Sequence, residues 1–363
     1  MRLLIIAPEQ IPVPPFKGGS VQNCIYQISK HASDKYQITI VSRWSKNLSR
    51  ISTIGNVTIY RVSGATKKVY LQNAIQKVKN KKFDYIQIDN RPSFVPQVRT
   101  AFQNIPISVF MHSMTFVSLP MTTRQKARND LRGANLIIGN SNSLKQALTS
   151  RFPTYSNKIK YVHLGVDISK FRPRKTKKTG KFHFLFAGRL IPRKGIPILL
   201  KAFKIALKSN SSLQLSIAGG ALKSTYKTYL QKTARQLKIP VTFTGNLSRE
   251  RMPAFYRSGD CFICPSQKHE AFGLVNVEAM ACGLPVIASN NGGVPEIVEH
   301  QGNGFLVKNY RRPSSFASDM IRLANDPDLC NRLSVQARKD AVDQFSWKRT
   351  SRKLMKIYEK ELV

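Results

Sequence analysis

Short apolar runs alternate with helix-length stretches along almost the whole of this chain, and that alternation limits the folds open to it. In the first half the runs fall at residues 3–7, 38–42, 57–62, 85–88, 107–111, 136–140 and 159–163. A helix is predicted over 21–32, and another enters at Leu144 behind the capping sequence Ser141-Asn142-Ser143. A second set begins at Phe182, with strands at 184–188, 213–218, 241–244, 260–266 and 286–289 and helices at 195–208 and 226–237. Apolar runs of this length suit buried strands, and their alternation with helices suits a doubly wound α/β sheet. Between the sets, Arg172-Pro-Arg-Lys-Thr-Lys-Lys-Thr-Gly180 has the basic, Pro- and Gly-bearing composition of a linker. A chain of 363 residues is too long for one ordinary core and suits two. The expected domains are 1–172 and 173–345, with a helix at 346–363.

Charge is the compositional anomaly. The 59 Lys and Arg against 19 Asp and Glu give +40, shared evenly by the two halves and not confined to a tail. Such a field attracts polyanions: nucleic acid, anionic headgroups or an anionic polymer. A Lys- and Arg-rich host proteome is the plain alternative. Nothing resembles a nucleic-acid-reading motif with interleaved aromatics. The five cysteines, at 24, 261, 264, 282 and 330, are odd in number and scattered, which argues for reduced thiols and a cytoplasmic chain. Cys261 and Cys264 have CxxC spacing but lie inside a predicted strand, as two small buried hydrophobes. The apolar run after Arg2 is broken by Pro8-Glu9, so it reads as a first strand and not a leader; no run reaches the length of a membrane span.

The chemistry concentrates in Glu270-Ala-Phe-Gly-Leu-Val-Asn-Val-Glu278, followed by Ala-Met-Ala-Cys-Gly283-Leu-Pro285-Val. Two carboxylates bracket a predicted helix N-terminus that follows a strand, where backbone N–H groups would receive an anion. This segment resembles the signature of the retaining, nucleotide-sugar-dependent glycosyltransferases of family 4. Phe186-Ala-Gly188-Arg189 through Lys194-Gly195, Ile217-Ala-Gly-Gly220, Phe243-Thr-Gly-Asn246 and Gly292-Gly-Val-Pro-Glu296 follow the family's order. The first half resembles it through Pro14-Pro-Phe-Lys-Gly18-Gly19, His112 and Gly165-Val-Asp167. Pro12-Val-Pro14 and Asn90-Arg91-Pro92 are similar to a branch that includes spore-coat glycosyltransferases.

The resemblance implies the GT-B fold, two Rossmann-like doubly wound domains facing across a cleft, with the last helix crossing back to the first domain. It implies that Arg189 and Lys194 hold the diphosphate, so that catalysis needs no metal and no cofactor. Glu278 would accept both ribose hydroxyls, and Glu270 would contact the transferred sugar. Ala271, Phe272, Gly273 and Leu274 would offer backbone N–H groups, and Gly188, Gly245 and Asn246 would line the donor. Gly18 and Gly19, with Lys17, would approach a phosphate or an acceptor, and His112 would stand beside the sugar. His163 reads as packing near the linker. With no carboxylate evident as nucleophile, the leaving phosphate would take the acceptor's proton in a front-face displacement, the acceptor entering between the Gly18-Gly19 loop and His112.

The expected reaction is therefore transfer of a sugar, with a UDP-sugar favoured, to a cell-envelope, exopolysaccharide or spore-surface glycan, free or lipid-linked. The expected location is cytoplasmic, peripheral to an anionic membrane, or in a spore coat. A non-catalytic glycan-binding or coat protein of the same fold, or a transferase acting on nucleic acid, are the alternatives.

Overall fold

The computed structural model describes residues 1–16, 18–174, 180–221 and 223–361; Lys17 and most of the predicted linker lie outside the described residues. The chain divides into two compact units, Met1–Leu164 with Trp347–Val363, and Gly165–Ser346. The division falls earlier than the basic stretch predicts. Residues 165–172 join the second unit because Val166 N–H donates to the Phe345 carbonyl at 2.7 Å and Arg338 donates to the carbonyls of Ile168 and Phe171.

The first unit holds an eight-stranded sheet in the order β3-β4-β2-β1-β5-β6-β7-β8. Its strands are β1 (Arg2–Ile6), β2 (Gln37–Arg43), β3 (Ile51–Ile54), β4 (Val57–Val62), β5 (Tyr85–Asp89), β6 (Ile107–Met111), β7 (Leu136–Gly139) and β8 (Ile159–Tyr161). All neighbours are parallel except β3 and β4. Strand β3 was not expected: as an edge strand it is mostly exposed and carries no apolar run. The central strands are buried throughout, as parallel strands covered on both faces must be. The helix Trp347–Glu361 belongs to this unit; Tyr358 stacks on Tyr85 with centroids 4.4 Å apart, and Lys35 pairs with Glu359 at 2.7 Å.

The second unit holds a parallel sheet in the order β11-β10-β9-β12-β13-β14. Its strands are β9 (His183–Ala187), β10 (Gln214–Ala218), β11 (Val241–Gly245), β12 (Cys261–Cys264), β13 (Val286–Ser289) and β14 (Gly304–Val307). The helix Ile196–Ser209 buries Ile196, Leu199, Leu200, Phe203 and Ala206, the stripe that a 3.6-residue repeat lays on one face. That stripe meets Phe184, Ile217 and Phe305 from the sheet in one core. Burying each Ile, Leu or Phe of that stripe contributes about 1.5–3 kcal/mol. Cys261 and Cys264 are free thiols inside β12. Among the described residues, no helix is long and apolar enough to cross a membrane.

Candidate active site

In the second unit, β9 and β12 are adjacent and parallel, yet β9 leads on to β10 at one side and β12 to β13 at the other. The loops leaving their carboxyl ends part there, and an open α/β sheet takes its ligand at such a point. One loop carries Arg189, Arg193 and Lys194; the other carries Ser266, Glu270 and Gly273.

Glycine lets the two loops touch. At Gly195, whose φ is +71°, a Cβ would sit 1.9 Å from the Pro265 carbonyl oxygen, so the chain turns left-handed directly against the residue after β12. At Gly292, φ +58°, a Cβ would sit 2.1 Å from the Glu270 carbonyl oxygen. Asn291 and Gly293 complete the grip: the Asn291 side chain accepts from Glu270 N–H at 3.2 Å and donates to the Ser266 carbonyl at 2.6 Å, while Gly293 N–H donates to the Glu270 carbonyl at 2.8 Å. The Gly292-Gly293 pair therefore holds the Glu270 backbone.

Lys194 Nζ donates to Glu270 Oε2, which also accepts from Ser266 Oγ at 3.0 Å. The two charged side chains are 14% and 19% exposed, so the pair is shielded but reachable. Burial by itself would raise the Glu270 carboxyl; the Lys194 charge and hydrogen bond, then Ser266 and Arg193, outweigh it and hold the carboxyl below its ordinary value. Arg189 is exposed at the end of β9, within electrostatic reach of Arg193 and Glu270. Arg193 is a third cation that the sequence reading missed; its place one residue before Lys194 was the available signal.

Glu278 lies on the helix Leu274–Ala281, which opens at Gly273, and it is 7% exposed. Its Oε2 accepts from the Tyr256 hydroxyl at 2.9 Å, and Arg249 Nη2 stands 3.9 Å from Oε1. Burial raises the carboxyl above its ordinary value, with Arg249 and Tyr256 partly offsetting it. Tyr256 and Arg249 were also missed, because both lie far from Glu278 in sequence. Ala271 and Phe272, between the two carboxylates, are buried.

The loops after β9, β10 and β11 are laced by backbone bonds: Gly188 N–H to the Ala218 carbonyl at 3.0 Å and Gly219 N–H to the Gly245 carbonyl at 2.8 Å. Asn246 lies against Gly220, whose added Cβ would be 3.6 Å from it. Gly188, Gly245 and Asn246 thus share one rim with Arg189. The Asp-x-Asp spacing at Asp326 and Asp328 is a helix start, where Asp326 Oδ1 caps Leu329 N–H at 2.9 Å. Among the described residues, no three His, Cys, Asp or Glu side chains are grouped to hold a metal.

The first unit has its own parting of loops, between β1 and β5. Arg91, after β5, pairs with Glu9, after β1, at 2.7 Å and lies over the Phe116 ring at 3.9 Å. His112, after β6, has Nε2 3.0 Å from Asp89 Oδ1, and its backbone N–H donates to Asn90 Oδ1 at 3.2 Å. Gly19 ends the preceding loop in a left-handed turn before the helix Ser20–Lys30, and Gly18 has open space about it. The His163 carbonyl accepts from Thr350 Oγ1 at 2.9 Å, tying the last helix to the end of the first unit's chain. The predicted site residues thus divide between the two units, and among them Lys194 contacts Glu270 directly.

Comparison with known proteins agrees with this geometry. Residues 167–340 match the family model described as "Glycosyl transferases group 1", and residues 18–170 match "Glycosyltransferase Family 4". YtcC of Bacillus subtilis (strain 168), named as a glycosyltransferase, is 31% identical over 100% of this chain and 93% of its own length. Spore coat protein SA of the same organism is 28% identical over 99% of this chain and 100% of its own. The fold is shared with Anabaena HepE, whose structure holds UDP-glucose, at a TM-score of 0.81 and 20% identity over 99% of each chain. With strand order, loop chemistry and a full-length relative in agreement, the chain belongs to the family 4 glycosyltransferases of the GT-B fold.

Proposed function

We propose that this glycosyltransferase moves a sugar from a UDP-sugar, with retention and without a metal, to a glycan of the cell envelope or spore surface. The observation that carries the reading is the parting of loops beyond β9 and β12, where Lys194 pairs with the shielded carboxylate of Glu270 and Arg189 and Arg193 lie within electrostatic reach of it. A sugar nucleotide makes three demands, and each meets a residue type suited to it. The departing diphosphate gains negative charge, which fixed guanidinium and ammonium groups stabilise in a site of low dielectric. Lys194 has three N–H donors and gives one to Glu270, so the ammonium can bridge carboxylate and diphosphate. Glu270, ionised and gripped along its backbone, accepts from sugar hydroxyls and orients the anomeric carbon.

The ribose falls to Glu278. Its Oε2 already accepts a hydrogen bond from the Tyr256 hydroxyl, so Oε1 is the oxygen that receives the ribose. His112 serves the transferred sugar from the first unit, the role the resemblance implies. Retention follows from the leaving phosphate acting as base toward the acceptor hydroxyl, because Glu270 is engaged by Lys194 and Ser266 and is poorly disposed to attack. UDP is favoured because HepE is a structural neighbour whose complex contains UDP-glucose. A surface glycan is favoured because a full-length relative is a spore coat protein.

The test is thermal stabilisation and donor hydrolysis across UDP-, GDP-, ADP- and dTDP-sugars, with EDTA present, for wild type and Glu278→Ala. Stabilisation by UDP-sugars alone, lost in the variant and indifferent to chelator, is the expected outcome. Dependence on an added divalent ion would end the metal-free reading.

A further inference from the structure

Four polar side chains are joined in a row within the first unit, and the row ends at His112. Gln87 and Asp89 project from the same face of β5, and Ser108 pairs in register with Gln87 from β6. All three are at most 1% exposed. The helix Trp347–Glu361 covers them and adds the fourth group, the hydroxyl of fully buried Tyr358. Ser108 Oγ donates to the Tyr358 oxygen at 3.1 Å, and Tyr358 donates to Gln87 Oε1 at 2.8 Å. Gln87 Nε2 then donates to Asp89 Oδ2 at 2.5 Å, and Asp89 Oδ1 faces His112 Nε2 at 3.0 Å.

The direction of every bond follows from one fact. An ionised carboxylate only accepts. Asp89 therefore requires the amide NH₂ of Gln87, which turns the Gln87 carbonyl toward Tyr358, which makes the phenol a donor and leaves its oxygen to receive Ser108. On the other side the same rule makes His112 Nε2 carry a proton and leaves Nδ1 as the acceptor in the neutral ring. Burial raises the Tyr358 phenol well above its ordinary value, so it stays protonated and able to donate. The backbone of His112 is held as well, by Asn90 at its N–H and by Asn140 at its carbonyl at 3.4 Å.

We infer that Gln87 and Tyr358 are positioning residues for His112: through Asp89 they fix its Nε2–H tautomer and present Nδ1 to a donor-sugar hydroxyl. This rests on the reading that His112 serves the sugar, and it gives the last helix a part in the chemistry beyond packing. The tautomer is the sharp observable, because a change in packing alone does not dictate which ring nitrogen is protonated.

The experiment records nitrogen-15 imidazole spectra of the full chain, His112 being assigned by its loss in His112→Gln, beside UDP-glucose hydrolysis. Wild type is expected as Nε2–H. In Asp89→Asn, Gln87 still requires an acceptor, so the new amide turns its oxygen to Gln87 and its NH₂ to His112, driving the ring to Nδ1–H. Adding Tyr358→Phe frees Gln87 to turn over, and the ring returns toward Nε2–H. Tyr358→Phe alone keeps the ring stacked on Tyr85 and is expected to lower kcat about three- to tenfold with KM for UDP-glucose unchanged. A wild-type Nδ1–H ring, or an Asp89→Asn tautomer indifferent to the Tyr358 hydroxyl, overturns the relay. Unchanged hydrolysis in His112→Ala overturns instead the sugar reading, while the tautomer result, which needs no turnover, still decides the relay.

Discussion

The two units use the same architectural opening in opposite ways. Where loops part beyond β9 and β12, the charged groups are Lys194 and Glu270, 14% and 19% exposed, and the cations Arg189 and Arg193 stand nearby. Where they part beyond β1 and β5, Arg91 is 3% exposed, bonded to Glu9 through two nitrogens and stacked over Phe116. The second unit keeps charge that an incoming anion can share. In the first unit the corresponding charges, Arg91 and Glu9, are spent on each other, and His112 is itself fixed by Asp89. A parting of loops is thus a place where a site can be built, and the unsatisfied capacity of its side chains decides whether a charged ligand is received.

The largest effect that would sharpen this contrast is expected at Lys194. Lys194→Met removes the cation proposed to hold the diphosphate and strands the shielded Glu270 carboxylate. UDP-glucose hydrolysis should fall about 10²–10³-fold, as when one transition-state donor is removed. Stability should fall by about 3 kcal/mol, the cost of leaving one partner of a buried pair. Adding Glu270→Gln should restore the melting temperature and leave the rate low. Recovery of the rate as well would mean that Lys194 serves only to neutralise Glu270. Arg91→Met should cost a similar amount of stability but leave UDP affinity, measured by calorimetry, within about twofold of wild type, as expected if the Arg91–Glu9 pair makes no contact with the nucleotide. A large loss of UDP affinity in that variant would break the comparison.

This contrast also explains what the sequence disclosed. Glu270, Glu278, Arg189, Lys194 and the glycines that seat them lie in runs whose spacing carries the geometry: a strand end, a tight turn, a helix start. Gly292 was legible as a motif glycine but not as the residue that makes room for the Glu270 carbonyl, since that contact joins loops after two different strands. Tyr256, Arg249, Asp89 and Tyr358 act through partners far away in the chain, and no local pattern marks them. Gln87 and Asp89 did leave a trace, two polar residues in a strand otherwise suited to full burial. The boundary at Leu164 was hidden because a basic, Pro-bearing stretch follows it, while the bonds that assign residues 165–172 come from Arg338 and Phe345.

An intermediate effect is expected at Gly292. An Ala there places a Cβ against the Glu270 carbonyl in a left-handed turn, a strain of about 1–3 kcal/mol. Because the displaced group is the backbone of Glu270, kcat for hydrolysis should fall about tenfold or more while UDP affinity, which is proposed to rest on Glu278, changes little. Equal losses in both would show that the two carboxylates move as one body.

The smallest effect separates Glu278 from Glu270 by pH. Burial raises the Glu278 carboxyl while Lys194 and its neighbours lower that of Glu270, so between the two the first protonates before the second as pH falls. A protonated Glu278 loses acceptor capacity toward the ribose, and UDP affinity should therefore decline on the acid side at a pH above the ordinary carboxyl range. Local unfolding cannot be the cause through this group: a carboxyl raised in the folded state binds more protons there than when unfolded, so its own contribution to stability grows as pH falls through that window. Tyr256→Phe removes a hydrogen bond that lowers the Glu278 carboxyl, so the decline should begin at higher pH in the variant, with affinity at neutral pH reduced only about threefold. Calorimetric titration of UDP from pH 5 to 8 reads both, and an unshifted profile in Tyr256→Phe would detach Glu278 from the nucleotide.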